Sequence, residues 1–174
     1  MKIVLKKVKT FVGREGMGGF SADLYINGEH VGTVIDQDNG GELLIQDFRE
    51  SRELVNKAYK WAATLPKQNL KIGGEMKSIN MTLETLIEDE FQKHLQKLDD
   101  LKFKAISKKA IIWGLPDARA YHVVKWKKHT LATMVENPNG ISIINAQLQS
   151  IKKIMSPNEI ILNADYLRSL GCNA

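Results

Sequence analysis

Hydrophobic and polar residues alternate in the first third of the chain, which is the pattern of half-buried β-strands. Apolar side chains take every second position from residue 20 onwards: Phe20, Ala22, Leu24 and Ile26. Asn27-Gly28 follows this run and favours a type I′ turn, because both central positions of that turn need a positive φ. We therefore predict a hairpin over residues 20–37.

Two further strands are predicted beside this hairpin, at residues 2–12 and 42–46, which makes a four-stranded antiparallel meander. Asp47, followed three residues later by Glu50, predicts a capping box that opens a helix. Apolar residues then recur at helical spacing. Residues 1–66 are thus predicted to form a meander with one helix packed on its apolar face.

The second half of the chain begins with residues 67–80, which show no periodicity and are predicted to be a loop. Apolar residues in steps of three and four then predict a long helix over 82–102. Asn163 is predicted to be a helix N-cap. Further strands are predicted at 108–115, 120–127, 130–136 and 160–162, and further helices at 141–155 and 164–170.

The predicted elements define an α+β fold. Its mainly antiparallel sheet combines the N-terminal meander with C-terminal strands, and three to four helices accompany them. We expect residues 81–174 to pack into the same compact unit as the meander. The length of 174 residues is enough for a real core, and 43% hydrophobic and 26% charged residues are ordinary for a globular domain.

Composition also indicates where the protein works. No apolar run approaches the roughly 18 to 20 residues of a membrane helix, so we expect no membrane association. The single cysteine, Cys172, excludes an internal disulfide, and we interpret it as an incidental terminal thiol. Both observations fit a reducing cytoplasm.

Two glycine-rich loops are predicted to meet at one end of the meander. Strands of a meander reverse at each turn, so loops 13–19 and 38–41 must both lie opposite Asn27-Gly28. Their main-chain amides could form an anion-binding nest, with Arg14 available for a bidentate phosphate contact. A plain glycine-rich hairpin loop is the alternative. The predicted ligand contacts of these loops are Arg14, Gly16, Gly18, Gly19, Asn39 and Gly40.

The net charge of +5 is concentrated in the second half of the chain. Residues 102–129 carry eight Lys and Arg against one acid, Asp117, and aromatic residues lie among them. Bases commonly stack on such rings while lysines hold the phosphates. A solvated lysine face and a core tryptophan at Trp113 are the alternative. The predicted contacts in this region are Tyr121, His122, Lys125 and Lys127.

Catalytic and metal-binding motifs give no positive support for an enzyme. The first glycine loop lacks the Gly-Lys-Ser/Thr ending of a phosphate loop and leads into a strand, where a dinucleotide site needs a helix. Residues 36–41 lack the closing glutamate of a calcium loop. The histidines show no paired metal spacing. We predict neither a metal nor a cofactor.

A resemblance is carried by the string Gly-Gly-Phe-Ser-Ala-Asp-Leu-Tyr-Ile-Asn-Gly, which is followed by Asp-Gln-Asp-Asn-Gly-Gly. Residues 11–48 resemble an N-terminal module of small uncharacterised proteins of bacteriophages and mobile elements. The resemblance implies a protein that acts in the cytosol of a bacterial host and counters host defence. Some such proteins sequester nucleotide immune signals without cleaving them.

The leading hypothesis from the sequence is a non-enzymatic binder that sequesters a phosphate-bearing small molecule, a nucleotide signal, between the glycine loops and basic side chains. One alternative is an inhibitor or adaptor that binds a host bacterial protein. Another is a nucleic-acid-binding protein. We also expect a homodimer.

Overall fold

The chain forms an α+β fold, as predicted, and divides into two compact units, Met1–Gln96 and Lys97–Ala174. The described residues contain nine β-strands, all in antiparallel pairs, and five α-helices. The boundary between the units falls inside the longest helix. The structure is a computed structural model that describes residues 1–12, 18–39, 41–116 and 120–174.

The elements follow one another along the chain largely as the sequence predicts. The first unit contains β1 Ile3–Phe11, β2 Gly19–Ile26, β3 Glu29–Asp36, β4 Leu44–Asp47, α1 Arg52–Ala62, β5 Gln68–Ile72, β6 Glu75–Ile79 and the start of α2 Leu83–Ser107. The second unit contains the end of α2, β7 Ala110–Gly114, β8 His122–Lys125, α3 Leu131–Val135, α4 Gly140–Ile154, β9 Ile160–Ile161 and α5 Ala164–Ser169.

The four-stranded meander β1-β2-β3-β4 is confirmed. Asn27 and Gly28 have φ values of 53° and 92°, so the turn between β2 and β3 has the two positive φ angles that the pair favours. The apolar face of β2 is buried, and α1 and α2 contribute to the same core. The ring of Phe20 stacks on that of Phe91 with centroids 3.9 Å apart.

One glycine sets the distance between β3 and β4. Gly32 has a φ of 155°, and a Cβ there would collide with the carbonyl oxygen of Gln46 and lie 2.8 Å from the Cα of Asp47. No other residue type fits this close approach without moving β4. The close approach of β4 therefore requires glycine at this point of β3.

Residues 67–80 were predicted to be a loop, and this prediction is wrong, because β5 and β6 form a hairpin there. Gly73 and Gly74 supply its turn, with φ values of 61° and 90°. The described side chains of β6 are mostly exposed, with Met76 at 68%. A strand without a buried face does not show the apolar alternation that predicts strands.

Two further predictions, a strand at residues 130–136 and a capping box at Asp47 and Glu50, are also wrong. Residues 130–136, predicted as a strand, contain α3, whose first turn is closed by a reciprocal capping box between Thr130 and Thr133. The predicted box at Asp47 and Glu50 does not form. Asp47 instead ends β4 and accepts a hydrogen bond of 3.1 Å from Nε of Arg52, and a short 3-10 turn precedes α1.

The second unit is a three-stranded sheet of order β8-β7-β9 with its own core. All five residues of β7 are buried, which confirms Trp113 as a core residue. Residues of α3, α4 and α5 complete the core, and Cys172 is buried in it. The interpretation of Cys172 as an incidental thiol is thus wrong, and burial raises the pKa of its thiol.

Asn163 occupies the N-cap position of α5, as predicted, but its side chain makes no capping hydrogen bond to the start of that helix. The side chain is buried and turned into the sheet. Its Oδ1 accepts a hydrogen bond of 3.1 Å from the main-chain N–H of Ile112. Its Nδ2 donates bonds of 2.8 Å to the carbonyl oxygens of Ser107 and Ala110. One amide group therefore anchors the entry into β7.

We predict that Asn163→Ala lowers the free energy of unfolding by about 3 kcal/mol, because two buried main-chain groups and one partly buried carbonyl lose their partner. Asn163→Asp should be no better, since it sets a carboxylate against two carbonyl oxygens. Urea denaturation followed by tryptophan fluorescence measures the change.

The matched control is Asn137→Ala, because Asn137 is exposed and its side chain donates a single bond of 2.9 Å to the Thr133 carbonyl. The free energy of unfolding of this variant should fall by less than about 1 kcal/mol. Equal losses for the two alanine variants would contradict the anchoring role of Asn163.

Candidate functional site

The described residues of the two glycine-rich loops lie together at one end of the meander, as predicted. The main-chain N–H of Gly18 donates a hydrogen bond of 2.7 Å to Oδ2 of Asp38 on the other loop. Three of the predicted ligand contacts, Arg14, Gly16 and Gly40, lie outside the described residues.

The described part of this edge already satisfies its own polar groups. Asp38 supplies the carboxylate that the Gly18 amide binds, and its own N–H donates to Oδ1 of Asp36 at 2.8 Å. Asn39 accepts a bond of 3.0 Å from the N–H of Gly41. An external anion at Gly18 would therefore have to displace a carboxylate of the chain itself.

Gly19 has a packing role. A Cβ at this position would collide with the carbonyl oxygen of Asp36 and lie within 2.9 Å of the ring of Phe11. The glycine lets the aromatic ring lie on β2 beside the loops. Binding of a ligand by Gly18, Gly19 and Asn39 stays a prediction, but each of them has a structural reason to be present.

The charge near this edge is negative. Burial raises the pKa of Glu88 on α2, and Asp36, Asp89 and Glu84 raise it further by repulsion. The end of β3 and the first turns of α2 thus share a cluster of acids. Such a field opposes the approach of a phosphate.

An aromatic row on the open face of the meander is a feature that the sequence reasoning missed. The rings of Tyr25 and His30 stack with centroids 4.8 Å apart, and the edge of Phe48 meets His30 at 4.9 Å. The ammonium of Lys6 lies 3.9 Å from the centroid of Tyr25. Tyr25 and His30 lie on either side of the Asn27-Gly28 turn and are cross-strand partners. The register of the predicted hairpin could therefore have revealed this contact from the sequence.

The same open face carries an ion pair. A bulge in β1 puts Lys7 at a φ of 50°, and its ammonium lies 2.9 Å from Oδ2 of Asp23. The adjacent ammonium holds the pKa of Asp23 below its ordinary value. The aromatic row and the ion pair each contact other side chains of the same sheet face. Their role is therefore structural, because they cover the sheet.

The positive charge of the protein belongs to the second unit. That unit has twelve Lys and Arg residues against six Asp and Glu, a net charge of +6, whereas the first unit has thirteen against fourteen, a net charge of −1. The predicted polarity of the chain therefore coincides with its division into units.

Five lysines lie at one end of the sheet in the second unit. Ala110 at the start of β7 pairs with Lys125 at the end of β8, so the residues just before β7 and just after β8 are neighbours. All five side chains are exposed, and none forms an ion pair with a described residue. We call this group the lysine cluster; its members are Lys108, Lys109, Lys125, Lys127 and Lys128.

A tight turn presents part of the lysine cluster. Trp126 and His129 form an isolated antiparallel bridge, and Lys127 and Lys128 are the two residues between them. The indole of Trp126 is half-buried against the core of the unit, so the turn is attached at its base. The bridge thereby defines where the main chain of Lys127 and Lys128 lies, and both side chains are exposed.

Tyr121 and His122, the other two contacts predicted here, lie at the opposite end of β8. The ring of His122 stacks on Trp113 at 5.0 Å, and its Nε2 lies 3.5 Å from Oε1 of Glu159. Tyr121 meets Phe103 edge to face at 5.6 Å. The four predicted residues therefore all lie on or beside β8, but at opposite ends of it. The main chain spans about 10 Å between His122 and Lys125.

A cavity of about 300 Å³ adjoins Tyr121 and is lined also by Asp99, Lys102 and Ala120. The ammonium of Lys102 lies 3.3 Å from Oδ1 of Asp99, so one carboxylate already accompanies this cation. The volume is at the lower limit of small-molecule sites.

Comparisons with protein-family models, curated proteins and solved structures found no match to this chain. Within the described ranges, no three His, Cys, Asp or Glu side chains are grouped so that they could hold a metal ion. In the same ranges, no helix combines the length with the apolar character needed to cross a bilayer.

The raised pKa of Glu88 predicts how stability depends on pH. The folded chain binds the Glu88 proton more tightly than the unfolded chain does, so the ionised carboxylate costs stability above its folded pKa. Glu88→Gln should raise the free energy of unfolding at pH 7 by about 0.5 kcal/mol, because the group is partly solvated. The gain should shrink as the pH is lowered towards about 4, and urea denaturation at a series of pH values measures it.

Glu53→Gln is the control with the opposite sign. The ammonium of Lys57 lies 2.8 Å from Glu53 and lowers the pKa of that carboxyl, so its removal should not stabilise the fold at pH 7. A Glu88→Gln variant that is less stable at pH 7 than the unmodified protein would contradict the acidic field described above.

Proposed function

We propose that this protein binds nucleic acid and that the lysine cluster contacts the phosphates. The observation that carries the proposal is the location of five exposed lysines, without a described acidic partner, at one end of the sheet in the second unit. Backbone phosphates supply most of the affinity of such interfaces.

The form of the lysine cluster favours an extended polyanion. Lysine is a compact point charge on a flexible stem, and it needs no fixed planar geometry to contact a phosphate. The five side chains come from two separate segments and lie on an open surface. An extended chain of phosphates can contact lysines of both segments at once, whereas a single phosphate group cannot.

Recognition of single strands fits the surroundings of the lysine cluster. The half-buried ring of Trp126 lies between Lys125 and Lys127 in sequence, and bases stack on such rings without sequence preference. Lysine-to-phosphate contacts add affinity without reading the bases. The protein should therefore bind without strong sequence specificity.

Sequestration of a phosphate-bearing small molecule is the second candidate. The cavity beside Tyr121 supports it, because an aromatic ring and the Lys102 ammonium border the same space. The glycine edge of the first unit gives it less support, since the Gly18 amide is taken by Asp38. The resemblance to phage proteins implies a role in countering host defence. Sequestration of a nucleotide signal is the candidate function that agrees with this role.

We predict that Lys125→Glu combined with Lys127→Glu weakens binding of a fluorescein-labelled 20-nucleotide single strand at least thirty-fold. The change removes two phosphate contacts and introduces repulsion. Fluorescence anisotropy at one fixed salt concentration measures the affinity.

The matched control reverses two exposed lysines of the first unit, Lys60→Glu with Lys77→Glu, and so alters the net charge by the same amount. Its affinity should change less than three-fold. An unchanged affinity in the Lys125/Lys127 variant would contradict the proposal. Calorimetric titration with cyclic and linear nucleotides tests the second candidate, which is favoured if Tyr121→Ala abolishes binding and the Lys125/Lys127 variant does not.

A further inference from the structure

A groove of about 520 Å³ adjoins β9 in the second unit. Its lining comes from β9 and the residues beside it, from α4 and α5, and from Ala174, and it includes no residue of β7. Most of the lining is apolar, and the charged side chains among it are two cations, Lys152 and Arg168, and one carboxylate, Asp165. The lining residues of this β9 groove that matter here are Met155, Ile160, Ile161, Leu162, Lys152 and Arg168.

Three consecutive residues, Ile160, Ile161 and Leu162, all line the β9 groove. Side chains of a strand alternate between its two faces, so a space that touches all three follows the strand edge. An edge strand presents unpaired main-chain groups, which are a template for another strand.

The hydrogen-bond ladder identifies which main-chain groups are presented. Leu162 donates its N–H to the carbonyl oxygen of Ile112 at 2.8 Å, and Ile161 is the residue opposite Trp113 in the same register. Hydrogen-bonded and non-bonded pairs alternate in an antiparallel ladder. The N–H and the C=O of Ile161 therefore point away from β7, and Ile161 is one of the residues that line the β9 groove.

The charged side chains that line the β9 groove indicate which kind of ligand it would bind. Nζ of Lys152 donates a bond of 3.1 Å to the carbonyl oxygen of Asn173, and no described carboxylate pairs with it. Arg168 is paired with Asp165 at 2.7 Å. The ammonium of Lys152 is thus the unbalanced charge, and it favours an acidic group beside an apolar one.

We propose that the β9 groove binds an extended acidic peptide segment of a partner protein, which adds to β9 as a further antiparallel or parallel strand. The main-chain groups of Ile161 hydrogen-bond the peptide. An apolar side chain of the peptide packs on Met155 and Leu162, and a carboxylate pairs with Lys152. Strand addition requires both an open edge and room for side chains, and the groove offers both.

The test uses the full ¹⁵N-labelled chain and the peptide acetyl-Glu-Val-Glu-Val-Glu-Val-amide. The amide signals of Ile160, Ile161 and Leu162 should shift on titration, and hydrogen exchange at Ile161 should slow. The same peptide with N-methylated valines, which removes alternate donors, should bind at least ten-fold more weakly. A peptide with lysine in place of glutamate should also bind at least ten-fold more weakly.

Two adjacent lysines of α4 provide a matched pair of variants. Lys152 lines the groove and Lys153 does not, although both are exposed. Lys152→Glu should weaken binding of the acidic peptide at least ten-fold, whereas Lys153→Glu should change it less than three-fold. The Lys125/Lys127 double variant should leave peptide affinity within three-fold, which separates this groove from the lysine cluster.

Three results would overturn the proposal: no shift at β9 at millimolar acidic peptide, equal binding of the N-methylated peptide, or shifts centred on Lys125 and Lys127. The last result would assign the peptide to the lysine cluster as a simple polyanion. Loss of nucleic-acid binding, by contrast, would leave the proposal for the β9 groove intact.

Discussion

Three hydrogen bonds of the buried Asn163 side chain organise both surfaces of the second unit. Two of them reach the carbonyl oxygens of Ser107 and Ala110, which lie on either side of Lys108 and Lys109. The third holds Ile112 in β7. Because Asn163 directly follows the strand segment that lines the β9 groove, one amide group fixes the start of the lysine cluster and the strand edge together. A buried polar group of this kind is costly to disturb, and it specifies one arrangement of the main chain.

The two units differ in net charge, and this difference bears on where an anion could bind. The first unit is nearly neutral, its glycine edge is bonded to Asp38, and acids of α2 lie near the same end of the meander. The net positive charge of the chain comes from the second unit. A carboxylate of the chain itself occupies the amide that the anion-nest hypothesis assigned to a ligand. These observations support the proposal that the exposed lysines contact phosphates, and they give less support to phosphate contacts at the glycine loops.

The parts of the fold with a strong local signal were predictable from the sequence. The alternation in β2 and the Asn27-Gly28 turn define the meander, and its reversal of direction correctly brings Gly18 beside Asp38. The hairpin at β5 and β6 was missed because its described side chains are mostly exposed. The strand predicted at 130–136 was wrong because the reciprocal bonds of Thr130 and Thr133 outweigh the β-branched composition of that segment. The role of Asn163 depends on partners more than fifty residues away in the chain, and no local pattern reveals such contacts.

The salt dependence of binding to a single-stranded 20-mer is the most direct test of the claim that lysines of the second unit hold a phosphate chain. Each phosphate contact on a single strand contributes roughly −0.7 to the slope of log K against log salt concentration. Five lysines therefore predict a linear fall with a slope of about −3.5. Absence of binding at 50 mM salt, or an affinity that does not change between about 50 and 200 mM salt, would contradict the account.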